Sequence, residues 1–438
     1  MDTWTNQNGF PTVTITREYS GQNNKMVAMA TQKRFLTDPI SAVNATSPFP
    51  DLGHVWHVPL TYTTGVNPNF THPTMQWMRP ETKATTIVVE RSGGDNDWLL
   101  VNVDQVGFYT VNYDETNWAL ISKQLENDHT VISPASRSAL IYDAFGLARA
   151  GDLGQANALD LTSYLDNEQD FVPWYTVDRV MGYIRDNLAL EEANDNFREY
   201  MKLKVTPMYE YTGWENTGDH LKKLGRVRAI SLACSYGNTD CISTSQTLFS
   251  DWKMDTTTST ISPDLQYTVF CTAIAEGEED DWNLVFKAYN SSETDASLKG
   301  VLQSALACSK DEGILNSYLQ KILDTSLIRS QDGQAVFSEV ASNPAGRLLA
   351  WDFFDENWDF FRNTYGNGVF LFDNVINAVT SDMNTPEELA KVLQFMEDHP
   401  DQGTGSRAFI QSIAVINANV RWMEQNYMEV ADWLVNAL

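Results

Sequence analysis

The chain has 438 residues, of which 42% are hydrophobic and 11% aromatic; this places it among folded globular proteins and makes two or more domains the expectation. With 58 acidic against 30 basic residues the net charge is -28, which repels phosphate backbones and anionic lipid surfaces, so nucleic acid is not an expected partner. No window approaches the roughly 20 apolar residues that a membrane helix needs, and the closing VADWLVNAL reads as the end of an amphipathic helix rather than an anchor signal.

The opening MDTWTNQNGFPTVTITR leads directly into a strand, where Val13 and Ile15 alternate with Thr12, Thr14 and Thr16 after a Gly9-Phe10-Pro11 turn. From Thr12 to Asn112 the runs PTVTITREY, KMVAMATQKRFL, WHVPLTYTTG, ATTIVVER and DWLLVNVD are short, rich in β-branched and aromatic residues, and separated by Gly, Asn, Pro and Asp. Five or more strands with no helix between them predict a small all-β sandwich. The period then changes: Trp118, Ile121 and Leu125 recur at helical spacing.

Helix follows helix from there. Ser133-Pro134 supplies an N-cap and first turn, Leu140, Ile141, Ala144, Phe145 and Ala148 a buried stripe, and Gly151 a stop. In VPWYTVDRVMGYI, Trp174, Val177, Met181 and Ile184 share a face. One helix is predicted to start at Asn343-Pro344, to line one side with Trp351, Phe354, Trp358 and Phe361, and to end at Gly366. A last pair is predicted through Phe409, Ile413, Ile416, Val420 and Met423, then Val430, Trp433 and Leu434. Successive antiparallel helices on short turns bury their faces only against neighbours, which favours a large all-α superhelical domain over 113–438, an α-solenoid of the HEAT or armadillo kind, although no strict repeat is visible.

Chemistry-bearing motifs are sparse. The histidines His54, His57, His72, His129, His220 and His399 are scattered, and His54 and His57, read as strand positions three apart, face opposite ways. There is no H-E-x-x-H, G-x-S-x-G, phosphate-binding loop or dinucleotide fingerprint. The acidic run Glu276, Glu278, Glu279, Asp280, Asp281 lacks the ligand spacing of a calcium loop and suits a helix N-terminus. Cys234 and Cys241 bracket a Gly-Asn turn able to bring them together, and sequons stand at Asn44, Asn69 and Asn290. Cysteine pairs and sequons together lean towards the secretory pathway; since Met1-Asp2-Thr3 is not a leader, the expectation is the C-terminal part of a longer chain.

The phrases MDTWTNQNGFPTVTI, TQKRFL, WHVPLTY, GFYTVNYD, SRSALIYDAFGLARAG, FVPWYTVDRV, AIAEGEEDDW, SNPAGRLLAWDFFDENW and VRWMEQNYMEVADWL, in order along the whole chain, resemble the C-terminal half of the aminopeptidase N family of zinc metallo-aminopeptidases. The resemblance implies that residues 1–11 are the tail of a catalytic domain, 12–112 the β-sandwich and 113–438 the helical domain. It places the H-E-x-x-H helix, the zinc ligands and the transition-state tyrosine upstream, leaving this chain without catalytic or metal-binding residues. It also implies the pairing Cys234 with Cys241 and Cys271 with Cys308. The implied task is to cap the peptide chamber and shape access to it, with the chain's own catalytic domain and peptide substrate as partners and a homodimer as a further association. Phe370 and Asn374 match positions that line the substrate cavity in the family, although their spacing suits a core face equally well. Thr110 departs from the arginine usual in G-x-Y-R-V-N-Y-D. The implied location is extracellular or at the cell surface, with membrane attachment only through segments not present here. A different class, a stand-alone helical-repeat module gripping a peptide or protein on its concave face, is the alternative, and a docking role for toxins or viruses is a third.

Overall fold

The computed structural model describes residues 2–19, 25–40, 52–82, 84–90, 93–256, 260–366 and 371–438. Among these residues seven strands, β1 (Pro11–Glu18), β2 (Met26–Arg34), β3 (Val58–Thr64), β4 (Thr74–Met78), β5 (Thr85–Val89), β6 (Leu99–Val101) and β7 (Thr110–Tyr113), form two sheets ordered β5-β2-β1-β7 and β4-β3-β6. The pairings are antiparallel except β1 with β7, where Thr12 lies opposite Thr110 and Ile15 opposite Tyr113. Val13, Ile15, Ala28, Ala30, Ile87 and Val111 from the first sheet and Val58, Leu60, Met78 and Leu99 from the second are buried, as period-two alternation requires of a sandwich. Thr12 is buried too, against the alternation expected of it. His54 and His57 precede β3 instead of lying in it; His54 has a left-handed φ of 51°. Strand β4 is an edge strand whose Met75 and Trp77 face outward and are half exposed, which is why its alternation does not read as a buried face.

The sandwich and the helices share polar joints. Asp114 caps the first long helix, Glu115–Asp128, by accepting from the Asn117 N–H at 2.9 Å, and its second oxygen accepts from the Arg17 N–H at 2.9 Å. Asn117 in turn pairs with both backbone groups of Leu99, each at 2.9 Å, standing in for a neighbouring strand at the edge of the smaller sheet. The edge strand β7 of the larger sheet is covered by the helix Pro134–Arg149: Asp143 accepts from the Val111 N–H at 2.8 Å.

The predicted helical signals hold locally. Ser133 caps Pro134–Arg149, and after it Gly151, at φ 77°, lets the chain turn back while its N–H bonds the Ala148 carbonyl. The helix Glu279–Asn290 carries Glu279, Asp280 and Asp281 in its first turn. Two expectations need correcting. The stretch from Asn343 is two helices, Arg347–Glu356 and Trp358–Tyr365, because Asn357 breaks it with its N–H and side-chain amide both on the Phe353 carbonyl; Asn343 itself sits in a turn and bonds the Ala307 and Ser309 carbonyls. The last pair is one continuous helix, Ser406–Ala437, since no Gly or Pro interrupts it and the polar Glu424-Gln425 step is exposed.

The helices form two layers. Pro134–Arg149, Phe171–Leu188, His220–Ser235, Gln266–Ala275, Ala296–Leu306, Ser330–Ala341, Leu371–Thr380 and Ser406–Ala437 pack each on the next. The intervening helices Asn194–Thr212, Thr239–Met254 and Glu279–Asn290 pack mainly onto this row. A row that is continuous on one side and splayed on the other is a curved solenoid with the continuous row inside. The curve closes on itself. Trp433 on the last helix donates to Asp160 at 2.7 Å and meets Tyr200 edge-on at 5.1 Å, and Glu429 accepts from the Ala156 N–H at 2.9 Å. Among the described residues no helix is long and apolar enough to cross a membrane.

Candidate functional site

The inner row gives the molecule a concave face. On Leu371–Thr380 the side chains Phe372, Val375, Ile376 and Val379 are buried in the packing between helices, and Leu371, Asn374 and Asn377, on the opposite side, are exposed. This helix is seated closely on the start of the last one: a Cβ at Gly405 would stand 2.5 Å from Ile376 Cδ1 and 2.8 Å from Phe372 Cε1, so only glycine permits the approach. Its far end is tied across the closure, where Asn384 donates to the Asn187 carbonyl at 2.9 Å. Nearby, Asp382 has its carboxyl raised by burial and, next, by the Asp186 charge.

Elsewhere the helices of this row carry aromatic and cationic groups. Tyr175, exposed on Phe171–Leu188, lies between two guanidiniums, Arg179 at 5.7 Å and Arg228 at 5.4 Å from its ring centre. Arg228 is in turn paired with Asp178. Tyr267 sits beside the Cys271–Cys308 disulfide, its hydroxyl 3.8 Å from Cys308 Sγ; burial raises its phenol and Glu339 adds to the rise. Aromatic walls, amides and a few cations suit an extended peptide, which offers backbone amides and side chains of varied character.

Of the two residues expected to line a cavity, Asn374 is exposed on Leu371–Thr380 and Phe370 lies outside the described residues. The two disulfides are Cys234–Cys241, joining the adjacent helices His220–Ser235 and Thr239–Met254, and Cys271–Cys308, joining Gln266–Ala275 to the turn that follows Ala296–Leu306 in the inner row. Asn69 and Asn290 are exposed, and Asn44 lies outside the described residues. Among the described residues no three His, Cys, Asp or Glu side chains are grouped to hold a metal ion, so the residues here do not fit a zinc centre.

Sequence reasoning missed the buried charges. Arg137, 2% exposed, donates to both Glu168 oxygens at 2.6 and 2.9 Å and to Asp170 at 2.6 Å, while Tyr164 completes the Glu168 shell at 2.9 Å. Asp143 is buried with one oxygen unpaired, and burial raises its carboxyl well above the usual range. The signal was present: Arg137 falls on the same stripe as Ile141, Ala144 and Ala148, and Asp143 on that of Leu140 and Leu147.

A family model described as ERAP1-like C-terminal domain matches residues 98–418. Among curated proteins the chain is 34% identical over 442 residues to aminopeptidase N of Canis lupus familiaris, aligning 99% of this chain with 43% of that protein. It is 34% identical over 441 residues to the human aminopeptidase N, 99% of this chain and 44% of that protein. It is also 34% identical over 447 residues to the human thyrotropin-releasing hormone-degrading ectoenzyme, all of this chain and 41% of that protein. The chain thus spans less than half the length of these relatives, and the matched segment runs from β6 to the last helix of the closed solenoid. By this match the chain belongs to the ERAP1-like C-terminal domain family and corresponds to the C-terminal half of aminopeptidase N.

Proposed function

We propose that the chain is the non-catalytic C-terminal region of a secreted or cell-surface zinc aminopeptidase that removes N-terminal amino acids from peptides. In this reading residues 1–11 end the catalytic domain, and the sandwich and the solenoid cap the active-site chamber and shape access to it. The observation that supports the reading is the similarity to aminopeptidase N over nearly the whole chain, together with a continuous row of helices on which Asn374 is exposed. Zinc belongs to the parent enzyme and no step of the hydrolysis is assigned to this chain. Its part is to bind and orient: Asn374 offers an amide to the peptide backbone, and Phe370 an apolar wall beyond the scissile bond.

The test uses the full-length parent. Asn374→Ala should cost about 0.5–1.5 kcal/mol in transition-state binding of peptides while leaving minimal aminoacyl-anilides unchanged, since only peptides extend that far. The melting temperature should stay put because the side chain is exposed. Phe370→Ala should cost about 1–2 kcal/mol with the same preference for peptides. An unaltered peptide-to-anilide ratio of kcat/KM in both variants would remove the reading.

A further inference from the structure

The two disulfides differ in what surrounds them. Cys234 is 7% exposed and Cys241 is fully buried, so the bond that joins His220–Ser235 to Thr239–Met254 lies inside the packing. Cys241 Sγ is 3.3 Å from the Ile230 carbonyl and Cys234 Sγ is 3.4 Å from the Ser245 hydroxyl. Cys271 and Cys308 are each partly exposed. Cys271 lies within the helix Gln266–Ala275, where the turns on either side cover the backbone, so the exposed part of the residue is its side chain. One turn earlier Tyr267 is 46% exposed, and its hydroxyl stands 3.8 Å from Cys308 Sγ. A disulfide sulfur has no proton to give, so the hydroxyl is the donor. Burial, with the Glu339 charge added to it, raises the phenol, which keeps that proton in place.

We propose that Cys271–Cys308 is a redox-labile bond, opened by a dithiol reductant of the oxidoreductase class, and that Cys234–Cys241 is inert to the same reagent. Thiol–disulfide exchange needs a thiolate to reach one sulfur and needs the other sulfur to leave as an anion. Here the exposed Cys271 is the sulfur reached, and Cys308, beside the Tyr267 hydroxyl, is the one that leaves. The attacking thiolate bonds to Cys271 Sγ as the S–S bond breaks. The electron pair goes to Cys308 Sγ, which accepts a hydrogen bond from Tyr267 and then a proton from water. The reductant's second thiol, as its thiolate, displaces Cys271 in turn, so two cysteine thiols form and the dithiol ends as its own disulfide, a two-electron exchange. Opening the bond leaves the fold in place, because Gln266–Ala275 and Ala296–Leu306 pack directly on each other and on His220–Ser235 and Ser330–Ala341 respectively. What is lost is the covalent tie between two neighbouring helices of the inner row, which closes a span of 37 residues, so the oxidised and reduced chains differ in how firmly that part of the row is held. The site is independent of the peptide-chamber reading.

The experiment exposes the folded full chain, both bonds formed, to dithiothreitol, alkylates the released thiols at intervals and maps them by mass spectrometry, while tryptophan fluorescence follows unfolding. Cys271 and Cys308 are expected to label together and to completion while Cys234 and Cys241 stay paired and the fluorescence stays that of the folded chain. Tyr267→Phe, which keeps the ring and removes the donor, should slow the reduction about threefold. Release of Cys234 and Cys241 first or at the same rate, or release of Cys271 and Cys308 only as the chain unfolds, overturns the proposal. An unchanged rate in Y267F overturns the choice of Cys308 as the leaving sulfur. The order of release is read on the unaltered chain, so it decides whether or not Y267F folds.

Discussion

Asp143 shows what one side chain does at the joint between sandwich and solenoid. It accepts from an edge-strand N–H, and burial raises its carboxyl well above the usual range. A carboxyl whose folded pKa exceeds its unfolded one adds most to stability at acidic pH, below the unfolded pKa, and that contribution falls as pH rises through the raised value. Asp143→Asn keeps the acceptor and cannot ionise. Urea unfolding across pH should therefore find the stability advantage of the D143N variant growing with pH, and a pH-independent difference would contradict this. Asp143→Ala, which strands the Val111 N–H, should cost about 1–3 kcal/mol at acidic pH and less as pH rises, because it too cannot ionise. The Arg137–Glu168 pair is the contrasting case, a buried charge whose hydrogen bonds are supplied from three neighbouring segments; its value lies in fixing how those segments meet.

At the scale of elements, helix pairs are clamped covalently where the inner row turns. The Cys271–Cys308 bond spans 37 residues and Cys234–Cys241 spans 7. On the chain-entropy model the longer loop restrains the unfolded chain by about 4 kcal/mol and the shorter by about 2.5 kcal/mol. Replacing each pair by alanine should lower the denaturation midpoint of both variants, more for 271/308, as chemical unfolding would show. Equal losses would point to packing of the buried Cys234 and Cys241 as the larger effect. The helix bearing Asn374 belongs to the same scale: its seat against Gly405 fixes which of its residues are buried.

For the whole molecule, closure of the solenoid is the feature that joins its last helix to its first ones. Removing residues 422–438 strips Trp433 and Leu434 from the helices Gln155–Asp160 and Asn194–Thr212, exposing the faces they cover. The truncated chain should melt lower and show a larger radius of gyration by small-angle scattering. An unchanged radius would mean that curvature is set within each helix pair and not by the last helix. The chain as a whole, expressed alone, should bind no stoichiometric zinc and hydrolyse no aminoacyl-anilide. Metal analysis after dialysis, with an anilide assay, checks this; one tightly held zinc per chain would contradict it.

The sequence by itself determined the change from period-two strands to helical stripes near Asn112, the Ser133 cap, the acidic start at Glu279 and, through family phrases, both disulfides. These features rest on residues close together in the chain, or on text shared with relatives, and neighbouring residues are what a linear pattern records. Tertiary structure decided the rest. Whether Phe409 to Leu434 is one helix or two depends on Asn194–Thr212 and Gln155–Asp160 offering it a continuous face to lie on. Whether Arg137 is a solvated charge or a buried one depends on Glu168, 31 residues away. The meeting of the solenoid's ends follows from small rotations summed over every helix pair, which no single stretch of sequence states.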